Sequence, residues 1–440
     1  MRSIPNDLPA TPYKFYRPDA RLIEVAARGA LLTNYWDAPL AGAATDGVEF
    51  GFRDEVYWFY KSARPITKPE AGARDLLSRR DNSVLSLPSG FNTESSLSMG
   101  VAGDLIQAEG LEQSKNMLFS SVADVLFEKD LSFANYESVV AADDIVKDAL
   151  GDGRSFTMCC SKEQYSTLTQ HNGKPFTVLN TANNHTFDLE LAGLETTQKL
   201  LEQDGIMNIG TPRSVEEHGR ASILTCKGIK IGFVSATFGI RQFKLPPHER
   251  HRIHVAKLCS KYVAPELDLL KRQIADCKAQ GCDFIVGSLH WGWEFEFFPR
   301  KSQIEAAHTL VEAGVDLLLG HHPHVIQPVE FYPTKRDPNR ITVIAYSLGS
   351  TTFGWFTAPY MMLSLMLDIE LAKGTVNGAQ RTYISAAKPV PVFRQHLIEA
   401  GKRLMRIEKL ADHVVPSGKM PPQVQKMNEY AKLVLGDSYV

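Results

Sequence analysis

"LLLGHHPHVI", residues 317–326, is the stretch whose reading decides the fold. A run of leucines closes on a glycine, and His321, His322 and His324 then fall within four positions. The chain holds only 13 histidines in 440 residues, so chance spacing is a poor explanation for this density. A short, continuously apolar run is the pattern of a strand buried on both faces. In an open α/β sheet, ligands bind in the crevice beyond the carboxyl ends of such strands. The imidazoles therefore stand where a metal ion or a substrate would be held.

Working outward, the same alternation repeats. SSLSMGVAG (95–103), LSFANYE (131–137), TVLNTAN (177–183), KIGFVSATF (230–238), DFIVGSL (283–289), VDLLLG (315–320) and TVIAYSLG (342–349) read as strands. Apolar residues at helical spacing predict helices over 113–128, 190–204, 265–281 and 302–314. Such a series argues for an α/β fold with a buried, parallel or mixed sheet covered on both faces. Residues 1–94 are richer in tyrosine and proline and form an N-terminal extension, with short helices predicted at 19–32 and 53–62. Residues 141–165 read as a loop-rich insert, 361–395 as a strand pair, 393–410 as a helix, and the tail from 414 as irregular.

Polar residues recur at the strand ends. They are Asp104; Asn135 and Glu137; Asn184, His185 and Asp188; His290; and His321, His322 and His324. Singly, each is unremarkable: Asp after Gly is a common turn residue, and a lone histidine is often a packed one. Together they make a mixed oxygen and nitrogen donor set suited to divalent Mn, Zn or Fe, large enough for two ions sharing a carboxylate. Other histidines fit the chemistry less well. His248, His251 and His254 lie among arginines in PPHERHRIH and read as a solvated loop, and His308 reads as structural. Glu294 and Glu296, in HWGWEFE, alternate with apolar residues and would face one side of an extended segment, where one could orient a ligand histidine.

Composition narrows the partners. The chain is 44% hydrophobic and 22% charged, with a net charge of −2. No basic field calls for nucleic acid or anionic lipid. No apolar run is long enough to span a bilayer, and the amino terminus carries no secretory signal pattern. The six cysteines show no CxxC spacing and read as reduced thiols, so a cytoplasmic location is expected.

The series GDL (103–105), FANYES (133–138), NTANNHTFD (180–188), SLHWGWE (288–294), GHHPHVIQPVE (320–330) and YSLGS (346–350) resembles the bacterial CapA proteins of poly-γ-glutamate capsule synthesis, on the calcineurin-like metallophosphatase fold. The resemblance covers roughly residues 95–390 and leaves the extension unexplained. It implies a four-layer α/β/β/α sandwich, with the metallophosphatase domain over 95–395. The texture of residues 1–94 makes them an extension packing on or capping that domain, and the pattern of elements leaves a C-terminal helix and tail over 396–440. The resemblance implies that Asp104 and His324 bind one ion, that Glu137 bridges, that Asn184, His290 and His322 bind the second ion, that His185 is the general acid, and that Asp188 orients it. Three departures from the wider pattern stand out. Ile106 stands where the superfamily, though not the CapA branch, has a ligand histidine. Ser350 replaces the usual Asn of YSLGN, and Leu189 and Glu190 replace a Gly.

The function expected is a soluble metal-dependent hydrolase acting on a phosphoester or a γ-glutamyl or peptide amide, with a small-molecule, peptide or polyglutamate substrate. Two rivals share the pocket. One is a metal-independent acid–base enzyme, such as a peptide or amino-acid epimerase. The other is a non-enzymatic polymer-binding assembly protein.

Overall fold

The computed structural model describes residues 20–77, 85–141, 157–241, 243–415 and 420–436. Most of the 141–165 insert lies outside the described residues. Where they resume, a short helix α3 (Lys162–Thr169) begins at Ser161, whose hydroxyl accepts from Gln164 N.

Two sheets pack face to face. The first takes β1 (Asn92–Leu105), β2 (Leu131–Tyr136), β3 (Val178–Asn180) and β4 (Met207–Ile209) in parallel on one side. The second centres on β6 (Ile229–Thr237), β7 (Phe284–His290), β8 (Leu317–His321) and β10 (Ile341–Ala345), also parallel, with β5 (Ser222–Cys226) and β9 (Val329–Pro333) antiparallel at its edges. Strand alternation builds the layers. Leu317 and Leu319 of β8 join Phe133, Phe233, Val286 and Met99 in the core between the sheets. Leu318 faces the other way, onto Leu270 and Ile274 of α5 (Asp268–Ala279) and Ile304 and Leu310 of α6 (Lys301–Ala313). The outer face of the first sheet is covered by Phe119, Tyr165, Leu168 and, from α4 (Glu190–Gln203), Leu201. The result is the expected α/β/β/α sandwich.

The backbone of residues 345–349 crosses the ends of β1 and β8. A Cβ on Gly103 would lie 2.0 Å from the Gly349 carbonyl oxygen, and one on Gly320 would lie 1.8 Å from that of Tyr346. Only glycine permits these approaches, which bring the carboxyl ends of the two sheets together. Asp104 N donates to Gly349 O at 3.0 Å, and β11 (Ser350–Thr352) then runs parallel to the end of β1.

Several expectations are corrected. The stretch 393–410 is a β-hairpin, not a helix. Strands β12 (Leu363–Val376), β13 (Ala379–Glu399) and β14 (Lys402–Lys409) extend the first sheet from β1, each antiparallel to the one before. Ala400 and Gly401 both take positive φ (49° and 77°), as the two-residue hairpin turn requires. The tail contains a helix, α7 (Pro422–Leu435), that buries Val424, Met427, Ala431 and Val434 at helical spacing. Residues 113–128 hold only a 3-10 turn and the short helix Ala123–Leu126. There Ser120 Oγ bonds back to Met117 O, a local contact that competes with helix. In the extension, α1 (Ala20–Thr33) and α2 (Phe52–Ala63) form as expected.

His254 is not solvated either. It is 4% exposed, its Nε2 accepts from Gly219 N at 3.1 Å, and its ring packs edge-on against His218. Burial pushes its pKa down to about 3, aided by the charge of His218. A histidine held neutral in the folded chain is protonated first in the unfolded one. Its stabilising effect is therefore full above the unfolded pKa near 6.5 and falls away as pH drops towards 3. Between pH 7 and pH 5 this one group should cost about 2 kcal/mol of stability. Urea denaturation at both pH values checks this: the loss should shrink by about that amount in His254→Gln.

Candidate metal centre

Asp104 closes β1, and its side chain is fully buried. Asn135 Nδ2 donates to its Oδ1 at 2.9 Å, and His322 N approaches its Oδ2 at 3.3 Å. The second contact crosses from one sheet to the other. His321 Nδ1 lies 3.2 Å from Oδ1 and His324 Nδ1 lies 3.6 Å from Oδ2. Burial alone would raise the Asp104 pKa, but hydrogen bonds from His321 and His324, with the charge of the surrounding imidazoles, hold it well below the usual carboxylate range.

Glu137 follows β2 and behaves in the opposite way. Both its oxygens are buried, and neither meets a hydrogen-bond donor among the described residues. Burial and then the Asp104 charge push its pKa well up. Three imidazole nitrogens surround its Oε1 just beyond hydrogen-bond range. His290 Nε2 is at 3.6 Å, and His185 Nε2 and His324 Nε2 are each at 4.0 Å. Two ligands each about 2.1 Å from one ion lie roughly 3–4 Å apart. A buried acceptor with no donor, ringed at that spacing, fits a cation.

Two groups of ligand atoms come together here: Asp104, Glu137 and His290, and Glu137, His322 and His324, the atoms within each group lying within 4.8 Å of one another. Glu137 belongs to both. Asn184 Oδ1 sits 2.9 Å from His290 Nε2, so it shares the same cup. His290 and His322 are fully buried, and burial pushes both imidazoles well below their ordinary pKa, which suits neutral ligands. His322 (φ 98°) and His324 (φ 55°) both hold left-handed backbone, uncommon for non-glycine residues and characteristic of functional loops.

His185 stands beside this cup. Its Nδ1 is 2.6 Å from Asp188 Oδ2, while Arg241 Nη1 and Met158 N donate to the two Asp188 oxygens. Burial pushes the Asp188 pKa up, but the charges of His185 and Arg241 win and keep it below the normal value. Burial lowers the His185 pKa against the pull of Asp188.

The eight residues to which the resemblance gives roles therefore lie around one buried cup. Ile106, where a further histidine would stand in the superfamily, is buried in the inter-sheet core. Phe295 takes φ +61° and breaks the extended run, so the two glutamates part. Glu294 Oε1 lies 3.9 Å from His324 Nε2, while Glu296 is buried among Lys61, Arg300 and Tyr57. Phe238 and Arg241 were missed, although the strand-end logic applies to KIGFVSATF as well. Phe238 packs on the rings of both His290 and His322. Ser350 Oγ bonds His324 Nδ1 at 2.8 Å, so the Asn-to-Ser departure falls on a contact of a ligand candidate.

The profile of the family described as bacterial capsule synthesis protein PGA_cap matches residues 98–354. The chain belongs to this family. It is 27% identical over 312 residues to the PGA biosynthesis protein CapA of Bacillus subtilis, covering 68% of this chain and 75% of that one. It is 25% identical over 269 residues to the capsule biosynthesis protein CapA of Bacillus anthracis, covering 59% and 61%. A solved structure of a hypothetical protein from Thermus thermophilus overlaps 71% of this chain and 99% of its own at 14% identity, with a TM-score of 0.33, too distant to add to the fold assignment. Among the described residues, no helix is long and apolar enough to cross a membrane.

The isolated Glu137 carboxylate yields a prediction. Its folded pKa is raised, so the charge works against folding increasingly as pH climbs above the unfolded value of about 4.3. Without metal, Glu137→Gln should be more stable than the wild type at pH 8, with the difference vanishing near pH 4. Urea midpoints in chelator at the two pH values read this directly.

Proposed function

We propose that this chain is a metal-dependent hydrolase of poly-γ-glutamate capsule synthesis that cleaves an amide or phosphoester, with Glu137 common to the two groups of residues that would hold its ions. The observation that carries the reading is that both ligand groups share one buried carboxylate that meets no donor among the described residues. The names of the Bacillus relatives support the polymer context. The side chains group Asp104 with His290, beside Asn184, and His322 with His324, so one ion would be held by each group together with Glu137, a pairing that differs from the one the resemblance implies. The donor set suits Mn, Zn or Fe. Such ions supply a water acidified towards neutral pH and a counter-charge for the developing oxyanion.

The chain's own residues do the rest. Asp188 fixes the His185 ring through Nδ1, leaving Nε2 turned to the Glu137 side. A proton on Nε2 passes to the nitrogen or oxygen of the leaving group, and the Asp188 carboxylate stabilises the imidazolium that precedes the transfer. Arg241 keeps Asp188 ionised for that purpose. Buried phenylalanines, Phe238 against His290 and His322 and Phe353 against His324, keep bulk water from the imidazoles.

Elemental analysis of the purified protein, with assays on γ-glutamyl amides and phosphoesters, tests this. About two equivalents of metal are expected, with turnover lost in chelator and restored by Mn or Zn. His185→Gln should keep the metal and lower kcat by about 10²–10⁴-fold. Deuterium exchange at a substrate carbon that persists in chelator would instead favour the acid–base isomerase. Absence of both metal and turnover would favour the binding protein.

A further inference from the structure

The family match begins at residue 98, yet part of the centre comes from before it. Thr45 Oγ1 lies 3.2 Å from His322 Nε2, in a buried contact between residues 277 positions apart. The other ring nitrogen, His322 Nδ1, is buried with no hydrogen-bond partner among the described residues. Thr45 itself is 8% exposed.

The segment carrying Thr45 is tied down on both sides. Trp293 Nε1 donates to Ala43 O at 2.9 Å, Arg300 Nη1 to Leu40 O at 3.0 Å, and Ala44 N to Asp54 Oδ1 at 2.8 Å. Tyr57 OH accepts from Leu40 N and donates to Glu296 Oε1, which also receives Lys61 and Arg300. These bonds hold residues 40–45 against HWGWEFE, the stretch that begins with His290. A second contact reaches the other histidine arm: Trp58 Nε1 donates to Glu294, whose Oε1 is the carboxylate oxygen near His324 Nε2.

We infer that residues 40–66 are a working wall of the metal centre, and that Thr45 is a positioning residue that fixes the ring of His322. His322 Nε2–H donates to Thr45 Oγ1, which leaves the Nδ1 lone pair free for an ion. The His324 ring is held in the same way through Nδ1, which lies 2.8 Å from Ser350 Oγ and 3.6 Å from Asp104 Oδ2, leaving Nε2 free. A hydrogen bond on the far nitrogen sets which nitrogen of a histidine can ligate, and losing that partner typically weakens metal binding 10–100-fold. The inference rests on the metal-centre reading, and it makes the extension, outside the family match, necessary for full metal affinity.

The test is calorimetric titration of the full-length, metal-free protein with Mn²⁺ and with Zn²⁺, for wild type, Thr45→Ser and Thr45→Val, alongside ¹⁵N spectra of the histidine rings. Thr45→Ser should bind like wild type, and Thr45→Val should bind 10–100-fold more weakly while melting, metal-free, at the wild-type temperature. In the metal-free wild type, the His322 ring should carry its proton on Nε2. Wild-type affinity in Thr45→Val, or a His322 proton on Nδ1, would overturn the inference. If Thr45→Val fails to fold, the ring spectrum of the wild type decides. If the wild type itself binds neither ion, the metal-centre reading has failed, and the ring spectrum still judges the Thr45 contact by itself.

Discussion

A carboxylate that meets no donor among the described residues, sealed between two sheets beside a second carboxylate, is the constraint on which the rest of this structure depends. Glu137 is fully buried beside the Asp104 carboxyl, and imidazole nitrogens stand 3.6–4.0 Å from its Oε1, just too far away to satisfy it. Burial of an unpaired charge is expensive. The fold sustains it because the surrounding positions are over-determined. Asp104 and Asn135 are register partners on adjacent strands, as are His290 and His321. The glycine approaches at residues 103 and 320 clamp the strand ends together. A bound cation would relieve the Glu137 charge and use the lone pairs of the histidines grouped with it.

The same logic separates the roles of chemically similar groups. Asp104 and Glu137 are both buried carboxylates, yet their surroundings push their pKa values in opposite directions, because Asp104 receives hydrogen bonds and Glu137 does not. His185 differs from the ligand histidines by its Asp188–Arg241 support, which suits proton transfer. The extension adds a wall to this arrangement. Its buried network of Tyr57, Lys61, Glu296 and Arg300 lies beside the loop that presents Glu294.

Much of this was legible in the sequence, for a physical reason. Continuous apolar strands such as LLLG and FIVG carry a clear signal, and side chains just beyond them must face the crevice, so Asp104, Glu137, Asn184, His290, His322 and His324 could be grouped from order alone. What escaped depended on contacts distant in sequence or on local backbone. Thr45 lies in an irregular stretch with no periodic signal, and nothing local ties it to His322. The left-handed turn at Phe295 reversed the expected facing of Glu294 and Glu296. The 393–410 hairpin was misread because its apolar residues fit both periods. Ala400–Gly401, a turn signal, should have outweighed helical spacing.

The most direct trial of the central claim is anomalous diffraction from crystals of the protein soaked in Mn²⁺ or Zn²⁺. The account predicts two peaks beside the Glu137 carboxylate, one also against Asp104, His290 and Asn184 and the other against His322 and His324. Peaks elsewhere on the molecule, or a single ion that leaves Glu137 uncoordinated, would contradict it.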